Sequence, residues 1–129
     1  MKLLLDTHIW IWMAEEPINL KRRVQQELQN EANELWLSPI STWEVLLLHS
    51  KRRLHFQSDA VDWIAQATQG FREAPLTHEI VVTSRQLQLP HADPADRFLA
   101  ATAKVLGLML VTSDAHLLGL GDISTLSNR

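Results

Sequence analysis

No cysteine occurs among the 129 residues. That absence excludes a disulfide framework, a thiolate nucleophile and any zinc or iron–sulfur site built on sulfur. It also accords with a reducing, cytoplasmic setting. Glycine is scarce, at 4, and no G-x-G-x-x-G or Walker A spacing is found. A glycine-rich phosphate cradle is therefore not expected. Long apolar runs are missing as well. Val45-Leu46-Leu47-Leu48 and Leu108-Met109-Leu110-Val111 fall far short of the ~20 residues needed to cross a bilayer. The opening run Leu3-Leu4-Leu5 is interrupted by Asp6, too soon for a signal peptide, so no membrane role is expected. Nor is there a basic excess. The 12 Lys and Arg face 15 Asp and Glu, a net charge of −3 with His neutral. A simple electrostatic nucleic-acid binder usually shows the opposite balance, although the distribution of charge matters more than its sum.

What is present reads as one globular domain over residues 1–129. Hydrophobic residues make up 46% and charged residues 21%, enough to bury a core. Short apolar runs alternate with longer amphipathic ones. Strands are expected over 2–5, 35–37, 108–111 and 123–126, with a short one over 73–76. Helices are expected over 7–14, around Leu20, Val24 and Leu28, from Ser41 to about His49, over 59–68, over 79–87, from Asp93-Pro94 to Leu106, and over 115–118. Gly107 ends the longest helix. Strands alternating with helices imply a parallel α/β sheet with helices on both faces. Such sheets bind ligands beyond the carboxyl ends of their strands.

Several acids fall at that edge. Asp6 directly follows the first strand, and Asp114 follows the last clear strand. Glu44 and Asp96 lie in the first turns of helices. Each has a purely structural explanation. Ser41-Thr42-Trp43-Glu44 fits a capping box. Asp93-Pro94-Ala95-Asp96 fits a capped helix start with an acid facing the dipole. Asp6 and Asp114 are also suitable caps. Together they point further. Clustered carboxylates repel one another and resist ionisation unless a cation sits among them. Oxygen donors without cysteine favour Mg²⁺ or Mn²⁺ over zinc, and such an ion activates water and stabilises charge on a phosphoryl group.

Four segments carry a resemblance: Leu3-Leu4-Leu5-Asp6-Thr7-His8, Ser41-Thr42-Trp43-Glu44-Val45, His91-Ala92-Asp93-Pro94-Ala95-Asp96-Arg97-Phe98-Leu99-Ala100 and Val111-Thr112-Ser113-Asp114. In this order, across nearly the whole chain, they resemble PIN-domain ribonucleases, the VapC-type toxins of type II toxin–antitoxin pairs. The resemblance implies a parallel sheet of about five strands flanked by helices on both faces, with an acidic pocket. It implies Mg²⁺- or Mn²⁺-dependent endonucleolytic hydrolysis of RNA, leaving a 5′-phosphate and a 3′-hydroxyl. Asp6, Glu44, Asp96 and Asp114 carry over as the acidic site, with Asp6 and Asp96 foremost for direct metal contact. Asp93 belongs to the same run, although capping accounts for it. Thr7 and Thr112 are candidates for positioning water or substrate. Arg97 is a candidate for holding a phosphate or for a salt bridge that orients an acid. The implied partners are an RNA substrate, a cognate antitoxin seated on apolar surface of the early helices, and a second copy in a homodimer.

Other residues permit other readings. His8, His91 and His116 lie near the acids and suit metal-free acid–base catalysis. Asp6 suits a phosphotransfer nucleophile, but Asp6-Thr7-His8 lacks a second Asp two residues on. A catalytically idle PIN-like binding module is a third alternative. Trp10 and Trp12, two apart, cannot share one helix face, so one is expected in the core and the other at a surface, where stacking on a base is one use. Lys21-Arg22-Arg23 and Lys51-Arg52-Arg53 are either solvated faces or phosphate contacts.

Overall fold

The computed structural model describes residues 1–89 and 93–129. Its elements run β1 (Lys2–Leu5), α1 (Thr7–Glu15), a 3-10 turn (Pro17–Asn19), α2 (Arg22–Gln29), β2 (Glu34–Leu37), α3 (Pro39–Ser50), α4 (Ala60–Ala67), β3 (Arg72–Glu73), α5 (His78–Gln86), α6 (Pro94–Leu106), β4 (Met109–Thr112), α7 (Ala115–Leu118) and β5 (Ser124–Ser127). Among the described residues, no helix is long and apolar enough to cross a membrane.

The strands form one parallel sheet in the order β3-β2-β1-β4-β5. The chain builds outward from β1 to β2 and β3, then returns to the other side of β1 for β4 and β5. Parallel crossovers are right-handed, so reversing the direction of growth moves the connecting helices to the opposite face. The core records this reversal. Leu3, Leu5, Leu37, Val111 and Leu126 pack with Ile9, Val24, Leu28 and Trp63 of α1, α2 and α4. Leu4 and Leu110 pack on the other face with Ile80, Leu99 and Leu117 of α5, α6 and α7. The two-residue alternation of side chains along each strand feeds both layers, which is why β1 is apolar at consecutive positions.

Several boundaries differ from those read in the sequence. Helix α3 starts at Pro39, not Ser41, and its cap is Ser38, whose hydroxyl accepts from the Ile40 amide at 3.1 Å. Proline suits the first helical position because no intrahelical partner awaits its missing N–H. β3 covers only Arg72 and Glu73, earlier than the expected 73–76, and its residues are exposed. Its register comes from pairing with Trp36 and Leu37 of β2. β4 and β5 each sit one residue later than expected. α6 ends as expected, with Gly107 in the left-handed conformation at φ 66°. The end of α3 uses the same conformation at Arg52 (φ 59°), the only non-glycine with positive φ among the described residues.

Candidate active site

β1 and β4 are neighbours where the strand order reverses, the switch point beyond whose carboxyl ends such sheets place a crevice. Asp6 follows β1 and Asp114 follows β4. The first turn of α6 brings Asp96, and α3 brings Glu44. These four acids and Asp93 line one cleft of about 360 Å³, together with His8, Trp12 and Ser113. The structure thus brings together all four acids expected for the site.

The capping explanations divide. Asp6 accepts from the Thr7 amide at 2.7 Å, Asp93 from the Asp96 amide at 2.8 Å, and Asp114 from the His116 and Leu117 amides at 2.8 and 3.4 Å. Those three cap helices as well as facing the cleft. Glu44 does not. With Ser38 as the cap of α3, Ser41 lies inside the helix and the capping-box account of Glu44 fails. Glu44 instead accepts from the Thr7 hydroxyl.

Two threonines orient the acids. The Thr112 hydroxyl donates to Asp6 Oδ2 at 2.6 Å and accepts from the Asp114 amide at 3.0 Å, tying the two strand ends together. Thr7 Oγ1 lies 2.9 Å from Ser41 Oγ. A hydroxyl has a single proton. Thr7 spends its proton on Glu44, so Ser41 donates to Thr7. Sequence reasoning missed Ser41 in this role because its position three before Glu44 already had a capping explanation. Thr7, Ser41 and Thr112 are buried, at 1%, 0% and 0% exposure, so the relay is shielded from water.

Among the described residues, Arg97 forms no salt bridge with a site acid. Its guanidinium donates to the backbone carbonyls of Ser84 (3.1 Å), Leu87 (3.4 Å) and Leu89. It joins the end of α5 to α6 and borders a separate cavity of about 250 Å³ with Ser84, Arg85, Pro94 and Phe98. His116 lies 3.5 Å from Asp114, and His8 lines the cleft. His91 lies outside the described residues. Both basic triplets are exposed.

The electrostatics are those of an acid cluster only partly compensated, by threonine hydrogen bonds and by His8. Burial raises the pKa of Asp6, opposed by the Thr112 hydrogen bond. Burial also raises that of Glu44, against the Thr7 hydrogen bond, with Asp93 and Asp6 adding repulsion. Asp96 is pushed up to about 7, by burial first and then by Asp93, Asp6, Asp114 and Glu44. A cation among these groups would reverse such shifts. Among the described residues, no three His, Asp or Glu side chains form a group tight enough to hold a metal ion as placed. Mg²⁺ does not demand a closed cage, because it usually keeps several waters and takes one or two carboxylates. The donor chemistry therefore fits a hard divalent cation.

A partly buried acidic cleft at the switch point of a five-stranded parallel sheet defines the class of protein. The PIN-domain family model matches residues 3–122. Ribonuclease VapC22 of Mycobacterium tuberculosis is 32% identical over 118 residues, covering 89% of this chain and 88% of the relative. The chain therefore belongs to the PIN-domain family and is of the VapC type. Solved structures share the fold at low identity. VapBC2 of Rickettsia felis, bound to a promoter DNA fragment, has a TM-score of 0.78 at 14% identity, covering 98% of each chain. DNA-bound VapBC of Salmonella typhimurium has a TM-score of 0.77 at 14% identity, covering 100% of this chain and 99% of that one.

Proposed function

We propose that the chain is a metal-dependent endoribonuclease that acts as the toxin of a toxin–antitoxin pair. The observation that carries this reading is the convergence of Asp6, Glu44, Asp96 and Asp114 from four separate places in the chain on one cleft. Such repulsion is retained at a cost unless a cation relieves it. The 32% identity to a protein named a ribonuclease supports the substrate class.

Asp6 and Asp96 would hold Mg²⁺ or Mn²⁺ directly, with Glu44 and Asp114 reaching it or orienting its waters. A bound ion supplies a water of lowered pKa as nucleophile and positive charge for the phosphoryl and leaving oxygens. The chain's own residues prepare the site. Thr112 fixes Asp6, and the Ser41–Thr7 relay fixes Glu44. Burial of the hydroxyls keeps those hydrogen bonds from exchanging with solvent.

The antitoxin partner is supported by the solved VapBC complexes and by a second cavity of about 350 Å³ between α1 and α4, bordered by Trp10, Met13, Trp63 and Phe71. Glu15, Gln66 and Gln69 line it too, and an amphipathic segment suits a groove of such mixed lining.

The purified protein is expected to cut RNA in Mg²⁺ or Mn²⁺ and to stop on addition of EDTA. Asp6→Asn and Asp96→Asn should each abolish cleavage with the circular dichroism spectrum unchanged. Cleavage indifferent to EDTA overturns the metal reading. Turnover retained by either variant removes that residue from the site.

A further inference from the structure

One wall of the acidic cleft is not acidic. His8 and Trp12 lie four apart on α1, hence on one face, and both line the cleft beside Asp6 and Glu44. Side chains on a helix lean toward its N-terminus. In α1 that end is Asp6, so the Trp12 indole leans back toward the acids. Its neighbour Trp10 takes the opposite assignment. Trp10 is 1% exposed in the core, and its indole N–H donates to the Ala67 carbonyl at 2.9 Å.

Trp12 is half-buried and packs in part against the α1-side core. Trp36 and Trp63 spend their indole N–H groups on Glu34 and Glu15. Trp12 makes no such bond among the described residues. The His8 ring lies 5.9 Å from it at a tilt of 57°, so it borders the indole without stacking over it. The result is an aromatic surface, open to the cleft, at the edge of a carboxylate cluster.

Resting on the ribonuclease reading, we propose that Trp12, flanked by His8, is a base-stacking platform, so that cleavage requires an unpaired nucleobase beside the scissile phosphate. The two parts of a nucleotide match the two parts of the cleft. The anionic phosphate belongs with the acids and their cation. The uncharged base belongs against the aromatic wall, where stacking tolerates any base because each has a π-face. A base within a duplex already has both faces covered and cannot use it.

The test compares a single-stranded oligoribonucleotide that the wild-type protein cuts with copies carrying one abasic residue at successive positions around the scissile bond. One abasic position should lower wild-type kcat/KM by roughly 5- to 140-fold, the range that loss of one base–aromatic stack corresponds to. Trp12→Leu, which keeps an apolar side chain against the core, should lose a similar factor on intact RNA and no longer distinguish intact from abasic substrate. Trp12→Phe should recover part of the distinction. Anisotropy titrations of labelled RNA on an Asp6→Asn background should show the same pattern in binding. Equal cutting of intact and abasic RNA by the wild type, or undiminished discrimination by Trp12→Leu, overturns the proposal and leaves the ribonuclease reading standing. Unchanged RNA cutting by Trp12→Leu with weakened antitoxin binding assigns the ring to a protein contact and also overturns it. No cleavage of any RNA overturns the ribonuclease reading, and this proposal with it.

Discussion

Asp96 is opposed in its charge by burial and by the four other acids that line the cleft. Burial acts on it first, and four carboxylates then add repulsion, raising its pKa from 3.8 to about 7. The unfolded chain lacks both influences. Between those two values the folded protein therefore holds a proton that the unfolded chain has released. The stability so conferred is fully present below the unfolded value and is lost as pH rises through the folded one. Asp96→Asn removes the ionisation while keeping the shape. In the absence of divalent cations its Tm should exceed that of the wild type near pH 8, and the gap should close toward about pH 4. Comparing the two proteins at each pH cancels the titration of groups remote from the cleft. A gap of equal size at both ends of that range would show that something other than ionisation separates them.

At the scale of elements, Arg97 joins α5 to α6. Its guanidinium serves three carbonyls at the end of α5 and just beyond, groups that a helix C-terminus leaves without intrahelical donors. Arg97→Leu keeps apolar bulk and removes every donor. The expected cost is about 1–3 kcal/mol, read as a lower urea midpoint. Hydrogen exchange should quicken at the last turn of α5 while the amides of β1 and β4 stay slow. Unaltered protection across α5 would show that the clamp is dispensable. Arg97 also marks where sequence reading ended. The alternation of strand and helix, the parallel sheet and the gathering of four acids were legible, because apolar period and strand-end position are local properties. The partners of Arg97 are not local: they lie 8 to 13 residues away. The start of α3 was misplaced because Ser41-Thr42-Trp43-Glu44 offered a capping box, whereas Ser38 is the cap and Pro39 the first residue of the helix. β3 was misplaced because pairing with β2 selects its two exposed residues, not any apolar pattern of their own. The split between Trp10 and Trp12 was expected, but which one faced the core was decided by packing against Trp63 and Ala67.

For the whole molecule, the net charge of −3 misleads until it is placed. With the four site acids set aside, 12 bases face 11 remaining acids. The acid excess lies inside a cleft, and the rest of the surface is close to neutral. Such a surface offers little long-range repulsion to a second copy of itself, and it carries an apolar feature suited to one. Trp43 and Leu46 are 54% and 40% exposed. Being three apart on α3, they share one face, and an exposed tryptophan is the kind of residue enriched at protein interfaces. A homodimer seated there buries both side chains from each copy. The wild-type chain should then run in light scattering at twice its 14.7 kDa. Trp43→Glu combined with Leu46→Glu should bring it to the single-chain mass with an unchanged circular dichroism spectrum, and its Tm should lose the dependence on protein concentration that a dimer confers. A wild type that stays monomeric at about 100 μM, well above the micromolar Kd of weak standard-size interfaces, would remove the dimer. A double variant that remains dimeric would place the interface on another face.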